Sequence, residues 1–239
     1  MNQYKRDYTF TTTGRYGKDS VSVQEALNAC LEIGMLQHNE VGIAKREGEW
    51  VLIQWEIYIS RLPFLGEKCV VKTFIGDFHR FAVSRVYIIE DKEGNEILRA
   101  NSRWVLMDLE NRKMVSISRE DLKKIKAYHV DEKIKFTKLE ERSYNEKFVF
   151  PLQRRDFDHI GHINNLVYID YLYETLTEEV YLNYEISYLS IGYKKEGRRL
   201  KNLVIENKEE SNTDEILLSS AFKDESDILV LMESKWNKL

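Results

Sequence analysis

The chain has little of what would place it in several common classes of protein. Two cysteines, Cys30 and Cys69, stand among 239 residues, which gives neither a disulfide framework nor a metal-ligand spacing. Two prolines, Pro63 and Pro151, are the only ones to interrupt the chain, so long stretches are free to form regular elements. No apolar run approaches the roughly 20 residues of a membrane span. The opening Met-Asn-Gln-Tyr-Lys-Arg-Asp lacks the apolar core of a signal peptide. An excess of positive charge is missing too. Lys and Arg number 36 against 40 Asp and Glu, and the resulting net charge of −4 argues against a general nucleic-acid binder. A cytoplasmic protein is the expectation.

What is present is enough for a core. Hydrophobic residues make up 43% of the chain and aromatics 12%, while the 32% that are charged supply a solvated surface. The length suits one large domain or two small ones. Residues 8–16 are rich in Thr and aromatics and read as a strand. Ser22-Val-Gln-Glu25 matches a capping box, and Val23, Ala26, Leu27, Cys30, Leu31 and Gly34 follow it as a core-facing helical stripe that ends near Gly42. Cys30 lies on that stripe and Cys69 in a strand, so both read as packing residues. Strand-like runs follow at 50–61, 68–77, 81–90 and 96–108, with Asp91-Lys-Glu-Gly94 as a hairpin turn. The charged stretch 118–147 starts helically but sustains no apolar stripe, and reads as a connector.

After Pro151 the order repeats: a polar turn and helix over 156–181, then strand-like runs at 184–193, 200–209, 215–223 and 229–236, with a turn at 211–214. The echo extends to detail. Trp55-Glu-Ile-Tyr58 resembles Tyr184-Glu-Ile-Ser187, and Asn101-Ser-Arg-Trp104 resembles Glu233-Ser-Lys-Trp236. Neither half has much core alone, so the expected architecture is α+β, with one long helix against an antiparallel sheet, twice. The expected boundaries are 1–130 and 151–239, with a linker over 131–150.

The densest polar cluster is Asp156, Asp158, His159, His162, Asn164 and Asn165, with Gly161 permitting a tight bend. Leu166, Ile169, Leu172, Tyr173 and Leu176 continue from it at helical spacing, while Asp170, Glu174 and Glu178 stack as a solvated face. Asn164 or Asn165 can cap that helix. A carboxylate and an imidazole ahead of a helix start can act as base or nucleophile and as proton donor, with the first-turn N–H groups as donors to an oxyanion. The same residues can equally form a capped helix preceded by an Asx-turn. His159 and His162 make a His-x-x-His without a third ligand, so no metal is expected, and nothing calls for a cofactor.

The element order together with D-x-D-x-x-G-H-x-N-N-x-x-Y at 156–168 resembles the hotdog-fold thioesterases, and the tandem layout resembles the acyl-acyl carrier protein thioesterases. The resemblance covers nearly the whole chain. It includes Tyr58-Ile-Ser-Arg-Leu-Pro-Phe-Leu-Gly66, Arg99-Ala-Asn-Ser-Arg-Trp-Val105 and Gly192-Tyr-Lys-Lys-Glu196. It implies two tandem hotdog units, the first shaping an acyl pocket and the second carrying one active site. It implies hydrolysis of fatty acyl thioesters on the phosphopantetheine of acyl carrier protein, ending fatty acid synthesis. Acyl-coenzyme A hydrolysis and noncatalytic acyl binding are the alternatives, and a homodimer is left open. The family's catalytic Asp falls on Asp158, its His on His162 and its Glu on Glu196, with Asn164 and Asn165 as orienting amides. Two positions depart from the plant-type pattern: Ile160 stands where that pattern has Asn, and Gly197 where it has Cys. Ile160 either packs against the helix or marks an orienting amide supplied from elsewhere. An acidic carrier would dock on Arg154, Arg155, Lys194, Lys195, Arg198 and Arg199, which flank the proposed chemistry in sequence.

Overall fold

The computed structural model describes residues 3–11, 14–41, 48–108, 110–111, 113–225 and 227–239. It divides into two compact units, Met1–Phe136 and Thr137–Leu239. The first holds β1 (Tyr4–Thr9), α1 (Val23–Val41), β2 (Glu49–Ile59), β3 (Lys68–His79), β4 (Ala82–Glu90), β5 (Glu96–Asp108), β6 (Lys113–Met114) and α2 (Arg119–Lys126). The second holds β7 (Glu146–Pro151), a single 3-10 turn (Arg154–Asp156), α3 (Val167–Tyr173), α4 (Glu178–Asn183), β8 (Tyr184–Tyr193), β9 (Asn202–Ser211), β10 (Glu215–Asp224) and β11 (Asp227–Lys238).

In the first unit the strand order is β1-β3-β4-β5-β2, antiparallel throughout, with β6 beside β5. Apolar residues alternate over only part of these strands, because Ile117, Ile125 and Ile134 bury residues of β3 and β4 besides those that meet α1. The helix starts as its sequence dictates, with the Glu25 N–H donating to Ser22 Oγ at 3.1 Å. It buries Val23, Ala26, Leu27, Ala29, Cys30, Ile33, Gly34 and Gln37. Gly34 lies so close to the sheet that a Cβ there would stand 2.7 Å from Tyr87 Oη. The helix is described to Val41; Gly42, its expected end, lies outside the described residues. The β4–β5 hairpin turns at Asp91, whose Oδ1 accepts the N–H groups of Glu93 and Asn95, with Gly94 at φ 85°.

Two expectations need correction here. The first strand is Tyr4–Thr9 rather than 8–16: Arg15 donates its N–H to Ser20 O within its own loop, and Thr12 and Thr13 lie outside the described residues. The charged connector is more anchored than its composition suggests. Ser118 caps α2, and Ile117 and Ile125 pack with Ile75 and Val83. Ile134 packs with Phe74, Val86 and Ile88, fitting over Gly76, where a Cβ would meet Ile134 Cδ1 at 2.2 Å.

The second unit has the order β8-β11-β10-β9-β7, again antiparallel. Its helical segment is not one long helix. It breaks between α3 and α4, because the Thr175 hydroxyl donates to Leu172 O while accepting from Asn207 Nδ2 of β9, and Thr177 caps α4 through the Val180 N–H. The acidic row Asp170, Glu174 and Glu178 is therefore split, with Glu178 on the second helix. Tyr168 and Tyr173 plug α3 onto the sheet through edge-to-face contacts with Phe222 and Trp236. The internal repeat holds at the level of single bonds: Trp104 Nε1 donates to Ser102 Oγ at 2.7 Å, and Trp236 Nε1 to Ser234 Oγ at 2.8 Å.

Both cysteines are packing residues, fully buried at Cys30 and nearly so at Cys69. Burial pushes both thiols up, Cys69 to about 12. Neither should form a thiolate at pH 8, so an aromatic disulfide reagent should label no thiol in native protein and two after unfolding. Rapid native labelling would contradict this packing.

Candidate active site

The site begins with a clamp. Asp156 is buried, and its Oδ2 accepts the Gln153 N–H at 2.6 Å and the Tyr171 hydroxyl at 2.7 Å. Its carbonyl accepts the Asn164 N–H at 2.8 Å. One residue thus ties the 3-10 turn, the polar loop and α3 together. Burial, followed by the hydrogen bond to Asp156, raises the Tyr171 phenol well above its ordinary range.

Asp158 opens a tight turn closed by His162. The Asp158 N–H donates to His162 O at 2.7 Å, and the Gly161 N–H donates to Asp158 O at 3.0 Å, with Gly161 at φ 81°. The carboxylate stays within this turn: Oδ1 accepts the N–H groups of Ile160 at 3.0 Å and His162 at 2.9 Å. Oδ2 has no hydrogen-bond partner among the described residues. Ile160 is 46% exposed, so it does not pack against the helix.

The loop then pairs with the segment after β8. Ile163 donates its N–H to Gly197 O at 2.8 Å, and His162 bridges Arg198. This short ladder carries Glu196 to the turn, with His162 Nε2 3.5 Å from Glu196 Oε2. The His162 side chain is 16% exposed and that of Glu196 47%, so the imidazole is sheltered and the carboxylate faces water. Gly197 is closely surrounded: a Cβ there would stand 2.7 Å from Ile163 Cδ1 and 3.0 Å from Tyr168 Oη, so a larger residue would require those side-chain ends to shift.

The structure therefore brings Asp158, His162 and Glu196 to one turn, although Asp158 meets the backbone of His162 rather than its ring. Asn164 and Asn165 follow, but neither caps α3, whose N-cap is Leu166 with no side-chain cap. Asn164 Oδ1 instead accepts the Leu166 N–H, and Asn164 O the Val167 N–H. Two of the amides at the helix start, those of Leu166 and Val167, are thus already engaged. Asn165 is exposed, its carbonyl held by the Tyr193 hydroxyl at 2.7 Å.

The basic residues separate. Arg154, Lys194, Arg198 and Arg199 are exposed, Arg155 reaches toward Asp156 at 4.0 Å, and Lys195 pairs with Asp227 at 2.6 Å. Of the residues that shape the site, sequence reading missed the Asp156–Tyr171 clamp and the bridging role of Arg198. Both depend on partners 15 or more positions away, and no local spacing announces them. Asp156→Ala should lower stability by about 1–3 kcal/mol, since it strands a buried Tyr171 hydroxyl and the Gln153 N–H. A melt indistinguishable from that of the unsubstituted protein would contradict the clamp.

Comparisons with known proteins find relatives of both units. The acyl-ACP thioesterase N-terminal domain model matches residues 1–125, and the C-terminal domain model matches residues 136–238. A chloroplastic acyl-[acyl-carrier-protein] hydrolase of Cuphea viscosissima is 29% identical over 187 residues, covering 74% of this chain and 45% of that protein. The chain thus spans less than half the length of that relative. Two solved structures share the fold. The 12:0-ACP thioesterase from Umbellularia californica aligns with a TM-score of 0.85 and 20% identity, over 100% of this chain and 95% of that one. An acyl-ACP thioesterase from Bacteroides thetaiotaomicron aligns with a TM-score of 0.84 and 19% identity, over 99% of this chain and 98% of that one. The fold is accordingly the α+β hotdog arrangement expected from the sequence. The two domain models follow one another in the order of the two units, and on that match the chain belongs to the acyl-ACP thioesterase family.

Proposed function

We propose that the chain hydrolyses fatty acyl thioesters on acyl carrier protein, releasing a free fatty acid and the carrier thiol. The observation that carries this reading is the Asp158–His162 turn held against Glu196, in a chain both of whose halves match the family. Asp158 Oδ1 is fixed by two N–H groups, which leaves Oδ2 as the working oxygen. It either takes a proton from water as the hydroxyl adds to the acyl carbon, or attacks that carbon itself to give an anhydride that water then opens. In both routes the carbon–sulfur bond breaks and the sulfur takes up a proton. His162, sheltered and facing Glu196, is the group placed to deliver it, with Glu196 orienting the ring. With Oδ1 of Asn164 engaged by Leu166, its Nδ2 is left as a donor to the thioester carbonyl, with the exposed Asn165 beside it.

An acidic carrier needs a positive landing surface on a chain whose net charge is −4. The exposed Arg154, Arg198 and Arg199 supply it, with the backbone of Arg198 paired to that of His162, whereas Lys195 is engaged by Asp227. A cytoplasmic role in ending fatty acid synthesis belongs to the same proposal.

Mass spectrometry on a mixed acyl-carrier pool tests it: free fatty acids should accumulate with time, and their absence would end the proposal. In the same assay Arg198→Glu with Arg199→Glu should raise KM for acyl carrier by roughly tenfold, and added salt should shrink that difference. Hydrolysis of a small uncharged thioester should not change; equal effects on both substrates would rule out docking at these arginines.

A further inference from the structure

The first unit shelters a positive charge that no carboxylate among the described residues answers. Arg85 stands on β4 with its side chain turned to α1, where Nη1 donates to Gln37 Oε1 and, at 3.2 Å, to Thr73 Oγ1. Both acceptors are neutral. Thr73 passes its own proton to Val86 O at 2.9 Å. Arg85 Nε and Nη2 make no hydrogen bond with the described residues, and Arg85 enters no ion pair with them. A sheltered ion normally has a partner of opposite sign, because desolvation outweighs what neutral dipoles return. Burial accordingly pushes the guanidinium below its ordinary range.

The neighbouring groups do not supply the missing charge. Burial, and then the Arg85 charge, lowers the pKa of His38, which leaves a neutral ring at pH 7. Asp121 of α2 lies close enough to act on His38, yet its Oδ2 accepts the Ser118 hydroxyl at 2.7 Å and it makes no ion pair with Arg85. Gln37 has an orphan of its own. It is 1% exposed, and with Oε1 turned to Arg85 its Nε2 is a buried donor without a partner among the described residues. Gln37 and Arg85 meet at a small cleft that His38, Val41, Ile75, Ile125 and Tyr128 complete. The centre of a water-sized atom has about 10 Å³ there, which is room for one particle and not for a chain.

We propose that this cleft binds a single monatomic anion, a chloride ion, between the Arg85 guanidinium and the Gln37 amide. One cation calls for one negative charge, which excludes sulfate, and the size excludes a carboxylate that carries a chain. The unused N–H groups of Arg85 and Gln37 would donate to the ion, while Val41, Ile75 and Ile125 keep competing water away. A water molecule in its place would satisfy the amide but leave the guanidinium without a counter-charge. The ion would tie α1 to β3 and β4. Its role is structural, so the inference goes beyond the hydrolysis assigned to the second unit and does not depend on it.

Thermal melting of the full chain in sodium chloride and in sodium gluconate at equal ionic strength tests the site, since gluconate is too large for the cleft. Chloride should raise Tm along a saturating curve, by about 5–10 °C at a hundred times its dissociation constant, and gluconate should not. In Gln37→Glu the new carboxylate should pair with Arg85 and displace the ion, so that Tm no longer depends on which salt is present. If that variant fails to fold, crystals of the unsubstituted chain grown in sodium bromide decide the matter. An anomalous bromide peak should stand beside Arg85 and Gln37. Equal responses to the two salts would overturn the proposal, as would a chloride response unchanged in Gln37→Glu or a cleft that holds water alone in the bromide crystals.

Discussion

The site depends on one backbone hydrogen bond, from the Ile163 N–H to Gly197 O. A polar turn ahead of a short helix would otherwise be a surface loop, its carboxylate and imidazole free to adopt many relative positions. Pairing residues 162–163 with 197–198 converts that loop into a short ladder, and the ladder fixes His162 against Glu196. At Gly197 the side chains of Ile163 and Tyr168 close in around the pairing. Asp156 secures the other side by holding the loop to α3 through Tyr171 and Asn164. Pre-organisation of this kind is what lets a carboxylate and an imidazole act together rather than as separate surface groups.

The same bond recurs between Val21 and Pro63, so the two units share a construction as well as an element order. What differs is the chemistry mounted on it. One turn carries Asp158 and His162, the other Arg15 and Ser20. Duplication thus leaves two equivalent mounts in one chain. The paired indole bonds of Trp104 to Ser102 and Trp236 to Ser234 show how closely the supporting sheets have kept step.

Most strands could be read from the sequence as apolar and β-branched runs bounded by turn residues, and β5 and β8 begin and end where such runs do. Elements that depend on distant partners could not be read this way. The break between α3 and α4 comes from Thr175 meeting Asn207 on β9, which no helical periodicity records. β7 begins at the end of the charged connector and lies at the sheet edge, paired with β9. At the site, the cluster of Asp, His and Asn was visible, but composition alone fitted an Asx-turn equally well. Asp158 does make such a turn with Ile160 and His162, so the bland reading and the chemical one describe the same geometry. The family resemblance pointed to Glu196, and only the ladder shows how a residue 34 positions later reaches His162.

Single-turnover hydrolysis of acyl carrier substrate by Asp158→Asn tests the central claim most directly. Asn keeps the turn, since its carbonyl oxygen can accept the same two N–H groups, and removes the base or nucleophile. The account predicts an unchanged melt and a rate lower by a factor on the order of 10² or more. A variant that folds normally and hydrolyses the thioester at the unsubstituted rate would contradict it.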